Sequence, residues 1–110
     1  DAFFAGMYET ALEPGELIKA VSFPVPAKAG YAKFPNPASR YALVGVFVSQ
    51  SAAGVRVAVT GAGPGVFRSA ELEAALTRSF TPDAAGSVAV PSDGLNADMH
   101  AAADYRAHLI

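Results

Sequence analysis

The sequence contains no cysteine. This absence excludes disulfide bonds, thiolate metal sites, iron–sulfur clusters held by this chain and a cysteine nucleophile. A chain without cysteine also fits a reducing compartment, and we expect a cytoplasmic protein.

Long apolar runs are absent as well. No stretch approaches the roughly 18–20 residues that a membrane-spanning helix requires, so we expect no membrane span. No signal peptide is visible, and the chain begins at Asp1 instead of a methionine. We therefore expect a segment of a longer protein.

Charge is sparse. Only 16% of the residues are charged, the net charge is −2, and the five arginines and three lysines form no basic run. This pattern lacks the electrostatic footprint of a protein that binds nucleic acid or anionic membranes. By contrast, 52% of the 110 residues are hydrophobic, which is enough for one modest core. We predict a single domain over residues 1–110.

Two apolar runs in the middle of the chain predict a β-hairpin. Leu43–Ser49 is almost continuously apolar, whereas Val55–Thr60 alternates, with its valines on one face. Gln50–Gly54 supplies small, polar and glycine residues for a loop of about five residues. A further short strand is predicted at Tyr31–Phe34, where Pro35 and Pro37 restrict it to an edge or end it. Leu17–Phe23 is also predicted as a strand.

Two helices are predicted in the second half of the chain. The first spans about Ala70–Ser79, with Ser69 as its N-cap, and Thr81-Pro82 ends it. The second is predicted from Asp98 to the end of the chain, with an inward stripe of Ala102, Tyr105 and Leu109. Strands followed by helices, without βαβ alternation, predict an α+β domain with an antiparallel sheet of three to four strands, packed against C-terminal helices.

Two motifs suggest ligand binding but have simpler interpretations. The run Gly61-Ala62-Gly63-Pro64-Gly65 follows a strand, yet its third fingerprint glycine is replaced by Val66, which favours a strand-ending bend over dinucleotide binding. His100, Asp104 and His108 have helical spacing and would share one face as metal ligands, but a solvated face with an Asp104–His108 pair is the favoured interpretation. Nothing in the sequence supports hydrolytic catalysis.

Lys33 and Tyr41 form the remaining candidate site. The lysine lies at a proline-lined strand edge, eight residues before a tyrosine that opens a buried strand, with Arg40 beside it. Such a pair can present a cation and a flat ring to a ligand. The alternative is a solvated lysine and a half-buried tyrosine with no ligand.

An ordered set of short motifs along the chain resembles one family. This family is the C-terminal domain of the FAD-binding medium subunit of carbon monoxide dehydrogenase and related molybdenum hydroxylases, including the xanthine dehydrogenase type. The resemblance covers essentially the whole chain. The motifs are Phe3–Gly6, Thr10–Leu17, Val21–Pro24, Tyr31–Phe34, Ala42–Val46, Val57–Gly63 and Asp98–Leu109.

The resemblance implies an oxidoreductase subunit. In such an enzyme, a partner large subunit holds the molybdenum cofactor and selects the substrate. Electrons then pass through two [2Fe–2S] clusters of a small subunit to FAD and on to an external acceptor. The domain described by this chain packs against a larger FAD-binding domain that the chain lacks, and alone it is expected to be inactive.

The resemblance also implies two cofactor-binding residues. The lysine of the family's Tyr-x-Lys element maps onto Lys33 and lies beside the flavin. A tyrosine that approaches the isoalloxazine ring in some members maps onto Tyr41. A cation near the ring would stabilise the anionic reduced flavin, and a tyrosine face would stack on it. The chain departs from the family at Arg40, where many members have an acidic residue, and at Ala102, where many have serine.

A second interpretation belongs to a different functional class. In it, the chain is a structural or assembly module that braces the FAD domain or the partner subunits and does not touch the flavin. The two interpretations differ in whether Lys33 and Tyr41 affect the cofactor.

Overall fold

The computed structural model describes residues 2–110 and shows an α+β fold, as predicted. A two-stranded antiparallel hairpin precedes a four-stranded antiparallel sheet, in which each strand pairs with the next along the chain. Three short helices follow the strands. The strands are β1 (Phe4–Gly6), β2 (Glu9–Thr10), β3 (Lys28–Pro35), β4 (Ala42–Ser51), β5 (Gly54–Thr60) and β6 (Phe67–Arg68), and the helices are α1 (Ala70–Arg78), α2 (Pro82–Gly86) and α3 (Ala103–Leu109).

The β4–β5 hairpin is confirmed, but its loop is shorter than predicted. Ser51 pairs with Gly54, which leaves only Ala52 and Ala53 between the strands. Gly54 adopts φ 113°, a left-handed conformation that favours glycine. The Ser51 hydroxyl accepts a hydrogen bond from the Ala53 N–H at 3.2 Å. A glycine with positive φ and a serine that bonds locally therefore make a tight turn.

The predicted alternation of β5 is confirmed, and it builds the core. Val55, Val57 and Val59 are all buried, with exposures between 0 and 5%. Val55 and Val57 pack against Leu72 and Leu76 of α1, which are also buried, whereas Val59 packs with Val44 and Ala62. Burial of this apolar face is the main stabilising contribution to the domain, at about 25 cal/mol per Å² of apolar surface.

Helix α1 forms as the sequence predicts. The Ser69 side chain accepts from the Leu72 N–H, so the predicted N-cap is confirmed. Glu73 ties the helix to the sheet, because its carboxylate accepts from the Val57 N–H at 3.0 Å and from Arg68 Nε at 2.7 Å. The bonds from Arg68 are the largest cause of a lowered pKa for Glu73.

Leu17–Phe23 is not a strand, so that prediction is wrong. The segment has no regular secondary structure, and its apolar side chains are exposed, with Leu17 at 78% and Phe23 at 77%. A strand forms only where a neighbouring strand can pair with its backbone N–H and C=O groups. Among residues 2–110, no strand pairs with this segment. Pro24 and Pro26 also lack the N–H that a ladder needs.

Helix α1 ends before Thr81-Pro82, as predicted, and a short helix follows directly. Thr81-Pro82 follows the first helix but at once begins α2, because the Thr81 hydroxyl accepts from the Ala84 N–H. Proline suits this first-turn position, where its missing N–H costs nothing.

The last helix begins at Ala103, five residues after the predicted start at Asp98. The Asp98 carboxylate accepts from the N–H groups of His100 and Ala101, so it closes a local turn instead of capping a helix. The predicted inward stripe is wrong at two positions, since Ala102 and Tyr105 are exposed, and correct at the partly buried Leu109.

A pair of leucine substitutions tests this division between core and exposed segment. We expect Leu72→Ala to cost about 2–5 kcal/mol of unfolding free energy, because it leaves a cavity between α1 and β5. Leu17→Ala removes the same atoms from an exposed side chain and should change stability by less than about 0.5 kcal/mol. Urea unfolding of both variants measures this. A large loss for Leu17→Ala would show that the segment is packed in solution.

Candidate functional site

The antiparallel pairing of β3 and β4 brings Lys33 and Tyr41 to the same end of the sheet. Lys33 pairs with Gly45 near the end of β3, and Pro35 pairs with Ala42 at the start of β4. Tyr41 directly precedes β4. Lys33 and Tyr41 are eight residues apart in sequence, and both lie next to the short connection between β3 and β4.

Asn36 organises the connection between the two strands. Its side chain is almost fully buried, with the residue 3% exposed. The Oδ1 atom accepts from the N–H groups of Ala38 at 3.0 Å and Ser39 at 3.4 Å. The Asn36 backbone N–H donates to the Tyr41 carbonyl, and its own carbonyl accepts from the Arg40 N–H. Asn36 thus satisfies the backbone of the turn that presents Tyr41.

Arg40 and Lys33 meet at the end of this turn. Arg40 adopts φ 61°, an uncommon conformation for a residue with a side chain. Lys33 Nζ donates to the Arg40 carbonyl oxygen at 2.8 Å. The bond fixes the ammonium group of Lys33 next to the residue that precedes Tyr41.

The Tyr41 ring stands at the surface with its hydroxyl anchored. The residue is 47% exposed, and its Oη accepts from Asn36 Nδ2 at 3.2 Å. The ring meets His100 edge to face, with centroids 6.5 Å apart. One face of an oriented aromatic ring is therefore available to a ligand.

A cleft of about 530 Å³ opens beside Tyr41. This volume lies within the usual range for small-molecule sites. Lys33 is not among its lining residues. The lining residues are Met7, Tyr8, Tyr41, Ala42, Gly61, Gly63, Pro64, Asn96, Ala97, Asp98 and Arg106.

The glycine-rich run after β5 forms one wall of this cleft. Gly61 adopts φ 76°, and a Cβ there would overlap the carbonyl oxygens of Ala42 and Leu43. The Asn96 side chain closes the bend by donating Nδ2 to the Gly63 carbonyl at 2.8 Å. The run is a strand-ending bend, as expected, with α1 beginning only at Ala70.

A buried arginine forms the floor of the cleft. Arg106 of α3 is 2% exposed. Its Nη1 donates to the carbonyls of Leu43 at 2.8 Å and Gly61 at 3.0 Å, and its Nη2 donates to Asp98 Oδ2 at 2.8 Å. Its Nε has no partner among the residues that the structure describes. A buried guanidinium requires such acceptors, and it joins three separate segments here.

Asp98 is held in its charged form. The His100 N–H bond is the largest cause of a lowered pKa for Asp98, and bonds from Ala101 and Arg106 act in the same direction. The pKa of this carboxyl therefore lies below its ordinary value of 3.8.

The structure does not support a shared metal-binding face for His100, Asp104 and His108. His100 precedes α3, so only Asp104 and His108 lie on the helix. Within residues 2–110, no three histidine, aspartate or glutamate side chains are grouped closely enough to hold a metal ion.

Sequence reasoning missed two residues that shape the site, Asn36 and Arg106. Asn36 had a local signal, because an Asn-Pro dipeptide marks turns. The burial of Arg106 had none, since its two carbonyl acceptors are 63 and 45 residues away in sequence and arginine is usually exposed. Both residues act through contacts that composition and periodicity do not reveal.

Comparison with protein-family models, with curated proteins and with solved structures finds no match to this chain. Among residues 2–110, no helix has the length and apolar character to cross a membrane.

Removal of the Arg106 guanidinium tests its role in joining the cleft walls. Arg106→Met keeps much of the buried hydrocarbon but leaves two carbonyls and Asp98 without their donor. We expect a loss of about 3 kcal/mol in unfolding free energy, measured by urea titration at pH 7. Arg78→Met, on the exposed end of α1, is the control and should change stability by less than about 0.5 kcal/mol.

The lowered pKa of Asp98 predicts a dependence of stability on acid. A carboxyl whose pKa is lower in the folded state stabilises the protein above its unfolded pKa. That stabilisation is lost as pH falls through the folded pKa. We therefore expect the Asp98→Asn variant to lose less unfolding free energy than the wild type does when the pH falls from about 5 to about 2.

The exposed Asp93→Asn variant is the matched control and should follow the wild-type pH profile. Glu73 has a pKa shifted in the same direction, so part of the acid sensitivity should persist in Asp98→Asn. Identical profiles for wild type and Asp98→Asn would contradict the assignment.

Proposed function

We propose that this chain is the C-terminal domain of the FAD-binding subunit of a cytoplasmic molybdenum-containing oxidoreductase. In this proposal the domain helps to close the FAD site of the subunit, with Lys33 and Tyr41 against the flavin. The molybdenum cofactor and the [2Fe–2S] clusters belong to partner subunits. When bound, FAD carries electrons from the clusters to an external acceptor.

The observation that carries the proposal is the convergence of Lys33 and Tyr41. The ordered motifs of the sequence assign these two residues to the flavin, and the fold brings both to one end of the β3–β4 pair. The Lys33–Arg40 bond of 2.8 Å fixes the cation beside the tyrosine. Both residues thus lie at the same end of the β3–β4 pair, and Tyr41 lines the cleft.

The residues present fit the ring system of a flavin. The Tyr41 ring is about half exposed at a cleft of about 530 Å³, which suits a flat aromatic group. Gly61 and Gly63 also line this cleft.

In this proposal, the side chains of this chain orient the flavin ring and stabilise its reduced form. Lys33 would place a positive charge where electron density increases on the reduced ring. Tyr41 would stack on the ring or donate its hydroxyl to the ring edge. Arg106 and Asn36 would hold the walls and the turn in place.

One observation favours the alternative role of a structural or assembly module. The irregular segment Leu17–Val25 exposes a series of apolar side chains, including Val21 at 75% and Val25 at 89%. Exposed apolar groups of this kind are typical of surfaces that pack against another domain or subunit. The two roles are compatible in one chain, but only the first requires contact with the flavin.

Substitution of Lys33 and Tyr41 in the full-length subunit tests the proposed function. We expect Lys33→Ala to weaken FAD binding by roughly tenfold or more, because a charged donor is lost. Tyr41→Phe should weaken it by roughly twofold to tenfold, the value of one neutral hydrogen bond. FAD dissociation constants and the flavin reduction potential measure both effects.

Two matched controls are available in the same domain. Lys28→Ala removes a lysine from the other end of β3, where Nζ lies over the Phe80 ring. Tyr105→Phe alters a half-exposed tyrosine outside the Tyr41 cleft. Both should retain wild-type FAD affinity. Unchanged affinity and potential in Lys33→Ala and Tyr41→Phe would favour the structural or assembly role.

A further inference from the structure

The amide of Asn36 has only one orientation that satisfies its surroundings. Its Oδ1 faces two backbone N–H groups, from Ala38 and Ser39. A flipped amide would set an NH₂ group against these two donors. Since the side chain is buried, such a clash of donors would be costly. The Nδ2 atom is therefore the group that faces Tyr41.

This orientation determines whether the Tyr41 hydroxyl donates or accepts the hydrogen bond to Asn36. Because Asn36 Nδ2 can only donate, the Tyr41 Oη atom is the acceptor of the 3.2 Å bond. The phenolic hydrogen is not used in that bond. It is therefore free to be donated to a group outside the turn.

We infer that Asn36 is a positioning residue that makes the Tyr41 hydroxyl a hydrogen-bond donor to the bound ligand. The site would thus prefer a flat ligand that presents an acceptor, such as a carbonyl oxygen or an unprotonated ring nitrogen. The isoalloxazine edge of a flavin carries both kinds of acceptor. This inference rests on the proposed function and adds the direction of one hydrogen bond to it.

Asn36→Asp reverses this bond while it preserves the turn. An aspartate oxygen can still accept from the Ala38 and Ser39 N–H groups, and aspartate favours such turns as asparagine does. Its second oxygen would accept from the Tyr41 hydroxyl and so remove that hydrogen from the ligand. Ser39→Asp places a carboxylate in the same turn at an exposed position and controls for the added charge.

The measurement is FAD affinity and the flavin absorbance spectrum of the full-length subunit. We expect Asn36→Asp to weaken FAD binding by roughly twofold to tenfold, as Tyr41→Phe does. In the Tyr41→Phe background, Asn36→Asp should have no further effect, because it acts only through the hydroxyl. Ser39→Asp should leave affinity and spectrum at their wild-type values.

The other possible results separate the positioning role of Asn36 from the flavin contact of Tyr41. If Tyr41→Phe weakens binding but Asn36→Asp does not, the positioning role is wrong and the proposed flavin contact stands. An equal loss from Asn36→Asp in both backgrounds would also contradict it, as a purely structural effect. If Tyr41→Phe has no effect, both the contact and the inference fail.

A second variant covers the case in which Asn36→Asp does not fold. Asn36→Ser retains a hydroxyl that can accept from the turn N–H groups but is too short to reach Tyr41. It should weaken FAD binding less than Tyr41→Phe and again only when Tyr41 is present. Wild-type FAD affinity in a folded Asn36→Ser subunit would overturn the inference.

Discussion

The buried guanidinium of Arg106 is the interaction on which the end of the sheet depends. The β4–β5 ladder ends at the Gly45–Thr60 pair, and Gly61 then turns away with positive φ. The Leu43 and Gly61 carbonyls lie beyond that ladder, and Arg106 supplies the donors that they need. Burying a charge is costly, so these acceptors and the Asp98 carboxylate must be present together. The arginine therefore couples the C-terminal helix to the strand end that follows Tyr41.

This coupling explains why the candidate site forms at this end of the sheet. The turn organised by Asn36 sets Tyr41 just ahead of β4, and the Arg106 contacts hold the first residues of β4. His100, from the loop before α3, meets the edge of the tyrosine ring. A surface aromatic side chain is thus held by local hydrogen bonds on one side and by a long-range buried charge on the other. Such support from several segments is what keeps a binding group in one geometry.

The parts of the fold that the sequence predicts well are those determined by local rules. The alternation in β5 and the Ser69 cap depend on neighbours a few residues away, and both are confirmed. The strand prediction for Leu17–Phe23 is wrong because a strand needs a partner that local pattern cannot supply. The burial of Arg106 is not predictable for the same reason, since its two carbonyl acceptors come from distant segments. The sequence offers Lys33 and Tyr41 as a candidate pair, and only the antiparallel register shows that they lie at the same end of the sheet.

The electrostatics of Lys33 bear on the flavin contact that we propose. Within residues 2–110 the ion pairs join Arg68 to Glu73 and Arg106 to Asp98, and Lys33 takes part in neither. Its bond goes to a neutral carbonyl, which uses one of its three N–H donors and leaves its charge uncompensated. An acidic residue at position 40 would lie next to this ammonium and reduce its field, whereas Arg40 adds a second positive charge. Two positive charges at this edge therefore favour a ligand that gains negative charge.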